Sequence, residues 1–182
     1  MNRESLEKEA RAVYDAGKSK PGFDHAGWLD RLIHLGAAEY IFRAGRTWPV
    51  FSYSKGLTAL FDLMSARFIY HAGLEWKSFD YTEGLRALVC LGDPRYIFYA
   101  GAHWKKFDYE KGAQALIKAA DCEFLFRAGA LWMEFDHAAA WKILESKVVQ
   151  GEKWRGLAFE NPRWRKALSW MWNAGWASAR RE

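Results

Sequence analysis

The chain has 182 residues, of which 51% are hydrophobic and 17% aromatic, and it contains eleven tryptophans but only two cysteines. This composition excludes a disordered chain and is sufficient for one folded domain over residues 1–182. The charged opening residues do not resemble a signal peptide and no apolar run reaches the length of a membrane span, so we expect a cytoplasmic protein in which Cys90 and Cys122 are free thiols.

The net charge of +5 is confined to the end of the chain. Residues 1–141 hold 18 basic and 18 acidic side chains, whereas residues 142–182 hold nine Lys or Arg and four Asp or Glu. The first part of the chain is therefore electrically balanced, and the C-terminal part is basic.

An Ala-Gly pair followed by a tryptophan recurs every 28 residues, and a fixed period in this range is typical of repeat proteins. The first unit has Ala16 and Gly17 but Lys20 instead of the tryptophan. The tryptophans of the later units are Trp48, Trp76, Trp104 and Trp132. We predict units near residues 11–38, 39–66, 67–94, 95–122 and 123–150, with a shortened cap over 151–182 in which Trp154 repeats the Gly-x-x-Trp spacing.

Each unit is predicted to contain two short helices, called helix A and helix B. Helix A begins after an N-cap residue, Ser65, Asp93 or Asp121 in three of the units, because these side chains accept hydrogen bonds from free amides. Helix B begins after a second serine or aspartate, such as Asp80. Helices of about 11 residues, roughly 16 Å long, are marginal alone and depend on packing against their neighbours.

The helical period assigns the recurring positions to one buried face and the changing positions to one exposed stripe. In helix A of the second unit, the predicted buried positions are 40, 41, 42, 44, 45 and 48, and the exposed positions are 39, 43, 46 and 47. In helix B, Lys55, Thr58 and Asp62 lie opposite Gly56, Ala59 and Leu60. The tryptophans are therefore expected in the core, with Ala-Gly leaving room for a neighbouring backbone or indole.

The C-terminal segment is predicted to cover the open end of the stack. Asn161 is a candidate N-cap for a helix from about Pro162 to Ala179, with Trp170 exposed. Its buried side would carry Trp164, Leu168, Met171, Trp172, Gly175 and Trp176. The predicted fold is thus an all-α solenoid of about five helix-turn-helix units with a C-terminal capping helix. It resembles tetratricopeptide and HEAT arrays in shape alone, which implies no function.

No motif typical of catalysis, phosphate binding or metal binding is present in the sequence. Asp80, Asp108 and Asp136 stand at predicted helix starts, so we interpret them as caps rather than as acid/base groups. His25 and His137 stand where other units have tyrosine, and we expect them to be packed or capping rings. We therefore expect no enzyme activity, no cofactor and no metal, although an enzyme with an unrecognised site in the groove is a third hypothesis.

The leading functional hypothesis is a non-catalytic protein-binding scaffold, because solenoids present extended surfaces. It would act as an adaptor or as an inhibitor that covers a partner complex, for example an anti-defence protein of a phage or mobile element. Arg43, His71, Tyr99 and Arg127 occupy the same position in four successive units and form the helix A row. The residues expected to flank this row are Arg46, Glu75, Arg95 and His103.

The alternative hypothesis is nucleic-acid binding through the C-terminal segment, where basic side chains alternate with tryptophans. This composition suits phosphate contacts combined with base stacking. The residues that would make these contacts are Lys153, Arg155, Arg163, Arg165 and Lys166.

Overall fold

The computed structural model describes residues 3–19, 22–146 and 151–173. Within these ranges the chain forms twelve α-helices and no β-strand, which confirms the predicted all-α fold. In chain order the helices are α1 (Arg3–Ser19), α2 (His25–His34), α3 (Ala38–Thr47), α4 (Tyr53–Asp62), α5 (Ala66–Glu75), α6 (Tyr81–Leu91), α7 (Pro94–His103), α8 (Tyr109–Ala119), α9 (Cys122–Leu131), α10 (His137–Ser146), α11 (Gly151–Glu160) and α12 (Pro162–Asn173).

The first ten helices form two layers. We call α1, α3, α5, α7 and α9 the A helices, and α2, α4, α6, α8 and α10 the B helices. From α3 to α9, the A helices begin at residues 38, 66, 94 and 122, so their starts are 28 residues apart. Each A helix packs against the B helix that follows it and against the next A helix, so the chain builds a two-layered stack.

Aspartate side chains start most of these helices in the way that the sequence predicts. Asp80 Oδ1 accepts hydrogen bonds from the amides of Thr82 and Glu83, each at 3.0 Å. Asp108 and Asp136 cap α8 and α10 in the same manner. The interpretation of these three carboxylates as caps is confirmed, because each satisfies amides that the helix itself cannot pair.

Ser65 occupies the predicted N-cap position of α5 but does not cap the helix with its side chain. Its hydroxyl donates instead to the carbonyl of Leu63 at 3.2 Å. The serine is therefore a weaker helix start than the aspartates, since the first amides of α5 receive no side-chain oxygen from it.

The core runs along the stack between the two layers, and the predicted faces are confirmed in both, except that Tyr40, predicted to be buried, is half-buried. Ile41 and Ala44 of α3 and Leu60 of α4 are completely buried, whereas positions 39, 43, 46 and 47 are exposed. The four repeated tryptophans are buried as well, with no more than 7% of their surface accessible. They are core residues, as expected, rather than platforms for a ligand.

Each repeated tryptophan packs against the glycine of the preceding A helix. A Cβ atom placed on Gly45 would lie 2.5 Å from the Trp76 ring, and one on Gly73 would lie 2.4 Å from Trp104. The Trp76 Nε1 also donates to the carbonyl of Phe42 at 3.0 Å, on the same preceding helix. The glycine therefore makes room for the ring, and the hydrogen bond fixes the depth at which the ring enters.

The same hydrogen bond recurs at three other tryptophans. Trp48, Trp104 and Trp164 donate through Nε1 to the backbone carbonyls of Tyr14, Tyr70 and Phe126 respectively. Trp132 is the exception, because its buried Nε1 has no hydrogen-bond partner among the described residues. Its ring still stacks on Phe98 at 6.4 Å and 13°. The junction between α7 and α9 therefore lacks the indole hydrogen bond that the other junctions have.

The packed-ring interpretation of His25 and His137 is also confirmed. The Nε2 of His25 lies 3.0 Å from the carbonyl of Gly17, and that of His137 lies 2.9 Å from Gly129. Tyr81 donates to the equivalent carbonyl of Gly73 at 3.3 Å. The histidines thus perform the structural role that tyrosine performs in other units.

The prediction that Trp154 continues the repeat is wrong. The ring that packs against Gly129 is Trp164 of α12, and its Nε1 donates to Phe126 at 2.9 Å. Trp154 is also buried, and its ring centroid lies 5.4 Å from that of Phe126. Helix α11 is thus inserted before the tryptophan that closes the stack, and spacing alone could not identify that tryptophan.

Helix α12 covers the end of the stack, with Asn161 accepting hydrogen bonds from the amides of Arg163 and Trp164. Trp164, Leu168 and Met171 are buried as predicted, and Trp170 is 65% exposed as predicted. The placement of Trp172 on the buried side is wrong, because 55% of it is exposed and it lies against Phe159 of α11. The predicted positions of Gly175, Trp176 and Ala179 lie outside the described residues.

Successive A helices pack together more extensively than successive B helices do. We call the layer of the A helices the inner layer and the layer of the B helices the outer layer. The glycines of the A helices permit this close approach, since a side chain there would push the next tryptophan away. None of the described helices is long and apolar enough to cross a membrane.

A matched pair of glycine substitutions tests this packing. Gly101→Ala should lower the free energy of unfolding by about 1–3 kcal/mol, because its Cβ would lie 2.5 Å from the Trp132 ring. Gly156→Ala, in a helix position with no atom within 4 Å, should raise it by about 0.5–1 kcal/mol. Denaturant unfolding of both variants measures the difference, and equal stability of the two would contradict the packing role of the repeated glycine.

Candidate partner-binding surface

The helix A row lies on the inner layer of the stack, and its members differ in exposure. Arg43 and Arg127 are exposed, whereas His71 and Tyr99 are half-buried. The prediction that these positions are exposed is confirmed for Arg43 and Arg127 and is wrong for His71 and Tyr99. The half-burial arises because α5 and α7 approach their neighbours closely and aromatic rings lie beside both side chains.

The arginines of this surface are held by acidic partners on the same face. Arg43 and Arg127 each pair with a glutamate one helical turn earlier, and Arg46 pairs with a residue of the next A helix. The four ion pairs are Arg43–Glu39 at 2.5 Å, Arg46–Glu75 at 3.0 Å, Arg95–Asp93 at 2.7 Å and Arg127–Glu123 at 2.6 Å. The surface is therefore charge-balanced, although it is rich in arginine.

The same arginines also lie over aromatic rings. The guanidinium of Arg43 is 5.5 Å from the centroid of Tyr40, and that of Arg127 is 5.7 Å from Phe124. Stacking and ion pairing together restrict the rotamers of these side chains. In this structure each of these two guanidinium groups thus lies between a carboxylate and a ring.

Tyr70 is the centre of an aromatic cluster on the inner layer. Its hydroxyl lies 2.9 Å from His103 Nδ1, and its ring centroid lies 5.9 Å from that of Tyr99 and 5.1 Å from that of His71. Burial, with a smaller contribution from Tyr99, raises the pKa of the Tyr70 hydroxyl, so the hydroxyl stays protonated and can donate. The hydrogen bond connects α5 with α7 across the surface.

Sequence reasoning did not single out Tyr70. The equivalent positions of the other units are Phe42, Phe98 and Phe126, and the period assigns all of them to the buried face. The sequence signal that could have identified Tyr70 is its hydroxyl group. The other units have phenylalanine at this position, and a hydroxyl group on a buried face requires a hydrogen-bond partner. In the structure the hydrogen-bond partner of Tyr70 is His103, one of the residues expected to flank the helix A row.

The helix A row continues at its N-terminal end into a polar groove of about 630 Å³ between α1 and α3. Arg43 and Arg46 line this groove, together with the rings of Tyr14 and Tyr40, whose centroids are 5.8 Å apart. Arg95, by contrast, is turned toward the start of its own helix, where it holds Asp93. That contact lowers the pKa of the Asp93 carboxyl. Arg95 therefore stabilises the N-cap of α7.

The C-terminal basic residues do not form one free cluster. The guanidinium of Arg163 donates to the carbonyl of Trp132, and that of Arg155 lies 3.0 Å from Glu145. Arg165 and Lys166 are exposed on α12, and the side chain of Lys153 lies outside the described residues. Two of the five predicted nucleic-acid contacts therefore fasten the terminal helices to the rest of the stack.

No cluster of three or more His, Cys, Asp or Glu side chains that could hold a metal occurs in the part of the chain that the structure describes. Cys90 is exposed, Cys122 is buried, and neither takes part in a disulfide. No known protein family, no characterised protein and no solved structure matches the chain, so the proposals below depend on its own sequence and structure.

His71 sits at the middle of the surface in an environment that disfavours its charged form. Burial lowers the pKa of the His71 imidazole below its ordinary value of 6.5, Glu75 opposes this shift and Arg67 adds to it. The ring is therefore neutral at pH 7. Because the unfolded chain takes up the proton first, stability from this group is present above pH 6.5 and is lost as the pH falls toward the folded pKa.

A titration of the histidine side chains by NMR tests this assignment. The pKa of His71 should lie below 6.5 in the parent, lower still in Glu75→Gln, and higher in Arg67→Gln. The two variants remove charges of opposite sign near the same ring, so each is the control of the other. Shifts of the same direction in both variants would show that the charges do not act on His71 as the geometry requires.

Proposed function

We propose that the protein is a non-catalytic protein-binding scaffold that holds a partner on the inner layer of its A helices. The observation that carries this proposal is the ordered, charge-balanced surface of arginine, tyrosine and histidine around the helix A row. Arginine and tyrosine are the residue types that contribute most energy at protein interfaces, because both combine a large contact area with a polar end.

The order of this surface favours binding. Ion pairs connect Arg46 with Glu75, and the Tyr70–His103 contact connects the next two A helices. Immobilising a flexible side chain on binding costs about 0.5–1.5 kcal/mol. Side chains that are already held by their neighbours avoid most of that cost, so a partner gains more from each contact.

The charge balance favours a protein over a nucleic acid at this surface. Binding to a phosphate backbone depends on cations that replace bound counterions. Here Arg43, Arg46 and Arg127 each have an acidic partner within 3.0 Å, so the face offers alternating charges rather than a positive field. A protein partner whose own surface carries charges of both signs would be electrostatically complementary to this face.

The scaffold would act as an adaptor, or as an inhibitor that covers a functional site of the partner. Both roles need only an extended surface and no reaction at that surface. Capture of partners from a native lysate, with and without nuclease, separates these roles from nucleic-acid binding. A protein partner that survives nuclease supports the scaffold, and loss of every partner contradicts it.

A second candidate function is nucleic-acid binding at the C-terminal end, for which the exposed Arg165 and Lys166 beside the exposed Trp170 are the supporting observation. Affinity for single-stranded DNA or RNA should then fall steeply with salt, and removal of both cations should flatten the dependence. A mobility shift at low salt measures this, and absence of a shift at micromolar protein argues against the second function.

Paired substitutions test the proposed surface. Arg43 with His71, and Tyr99 with Arg127, should be truncated in two variants, and at least one of them should weaken binding of the captured partner about tenfold. The control is a variant of the B-helix face at Lys55, Arg86 and Lys111, which should bind as the parent does. Thermal unfolding of each variant must accompany the binding assay, because His71 and Tyr99 are half-buried.

Unchanged binding in both row variants, together with loss in the B-helix variant, would move the partner site to the outer layer. Loss of binding that is matched by an equal loss of folded protein would show only that the row stabilises the stack. The proposal therefore requires weakened binding in a variant that unfolds at the parent's temperature.

A further inference from the structure

The outer layer carries an apolar groove that is separate from the helix A row. It lies between α6 and α8 and has a volume of about 580 Å³, which is within the usual range of sites for small molecules. Leu85, Val89, Phe107 and Ala115 line it, and Val89 is 37% exposed. The B helices that border the groove pack together less extensively than successive A helices do.

The rim of this groove is basic. Its charged residues are Arg86, Lys106, Lys111, Lys118 and a single acid, Asp108. Arg86 is held by Glu83 and Lys111 by Asp108, both in ion pairs of 3.0 Å or less. No ion pair among the described residues engages Lys106 or Lys118, so these two ammonium groups are available to a ligand.

The groove one unit earlier shows that the basic rim is not a general property of the outer layer. That groove lies between α4 and α6, has a volume of about 400 Å³, and is lined by Asp62, Asp80, Glu83 and Arg86. At equivalent positions 28 residues later, Cys90 replaces Asp62 and Lys111 replaces Glu83. The charge thus reverses between two grooves of the same design.

We propose that the groove between α6 and α8 binds a small amphiphilic carboxylate, that is, an acyl chain with an ionised acid group. The chain lies along Leu85, Val89 and Ala115, where removal of its methylene groups from water is favourable. Lys106 precedes α8 and Lys118 lies in its last turn, so the carboxylate lies against one of these ammonium groups while the other adds to the positive potential of the rim. Helix α8 has 11 residues and is roughly 16 Å long, which a twelve-carbon chain can follow.

Cys90 provides a probe inside this groove. It is exposed and lines the groove, whereas Cys122 is buried. Alkylation by iodoacetamide, followed by mass spectrometry, therefore reports on access to the groove in the unmodified chain. Dodecanoate, used below its micelle concentration, is the test ligand, and dodecyltrimethylammonium is the control with the same chain and the opposite charge.

Dodecanoate should slow alkylation of Cys90 in a saturable manner and should give a matching binding isotherm by calorimetry. The variant Lys106→Glu with Lys118→Glu should weaken that binding about tenfold, because attraction becomes repulsion at the rim. The control variant Lys77→Glu with Lys105→Glu has the same net charge but changes residues outside the groove, and it should bind as the parent does. Ala115→Phe, which fills the groove, should also weaken binding.

Three outcomes would overturn the proposal. Equal protection of Cys90 by the cationic amphiphile would indicate adsorption to the apolar floor alone. Unchanged dodecanoate binding in the Lys106→Glu/Lys118→Glu variant would show that these lysines do not attract the carboxylate. Protection by an acidic amphipathic peptide, without any protection by dodecanoate, would make the groove a protein-docking site. The helix A row is unchanged in all these variants, so the proposed scaffold function is tested separately.

Discussion

The contact of each tryptophan ring with the glycine of the preceding A helix is the constraint on which the rest of the structure depends. A Cβ at Gly45 or Gly73 would lie within 2.5 Å of the next indole, so no larger residue fits without displacing that ring. The indole Nε1 then donates to a carbonyl of the same preceding helix, as Trp76 does to Phe42. Together these contacts fix the distance between successive A helices. Gly has a cost of about 1 kcal/mol in a helix, which the buried ring offsets.

Much of this architecture could be predicted from the sequence, because the repeat shows which positions are constant. The buried and exposed positions of α3 and the aspartate caps follow from helical period and hydrogen-bonding chemistry. The end of the stack could not be predicted in the same way. Trp154 has the repeated spacing, but α11 is inserted and Trp164 occupies the place against Gly129. The spacing of a residue along the chain predicts its place in the stack only where the units have equal length.

The candidate surface, too, could be predicted only in part from the sequence. Helical period placed Arg43 and Arg127 on an exposed stripe, but it could not give the half-burial of His71 and Tyr99. Half-burial depends on how closely neighbouring A helices approach, which is a property of packing between units. The role of Tyr70 was missed for the same reason, since its partner His103 is on the next A helix.

One packing rule thus produces two kinds of surface. The close inner layer brings side chains of successive units together, so ion pairs and ring contacts cross from one A helix to the next. The more open outer layer separates the B helices and leaves apolar grooves between them. The charged residues at the rim of a groove are exposed, so their charge can change between units without loss of core packing. Glu83 and Lys111 are such a pair, and their opposite charges give each groove a chemistry of its own on a constant framework.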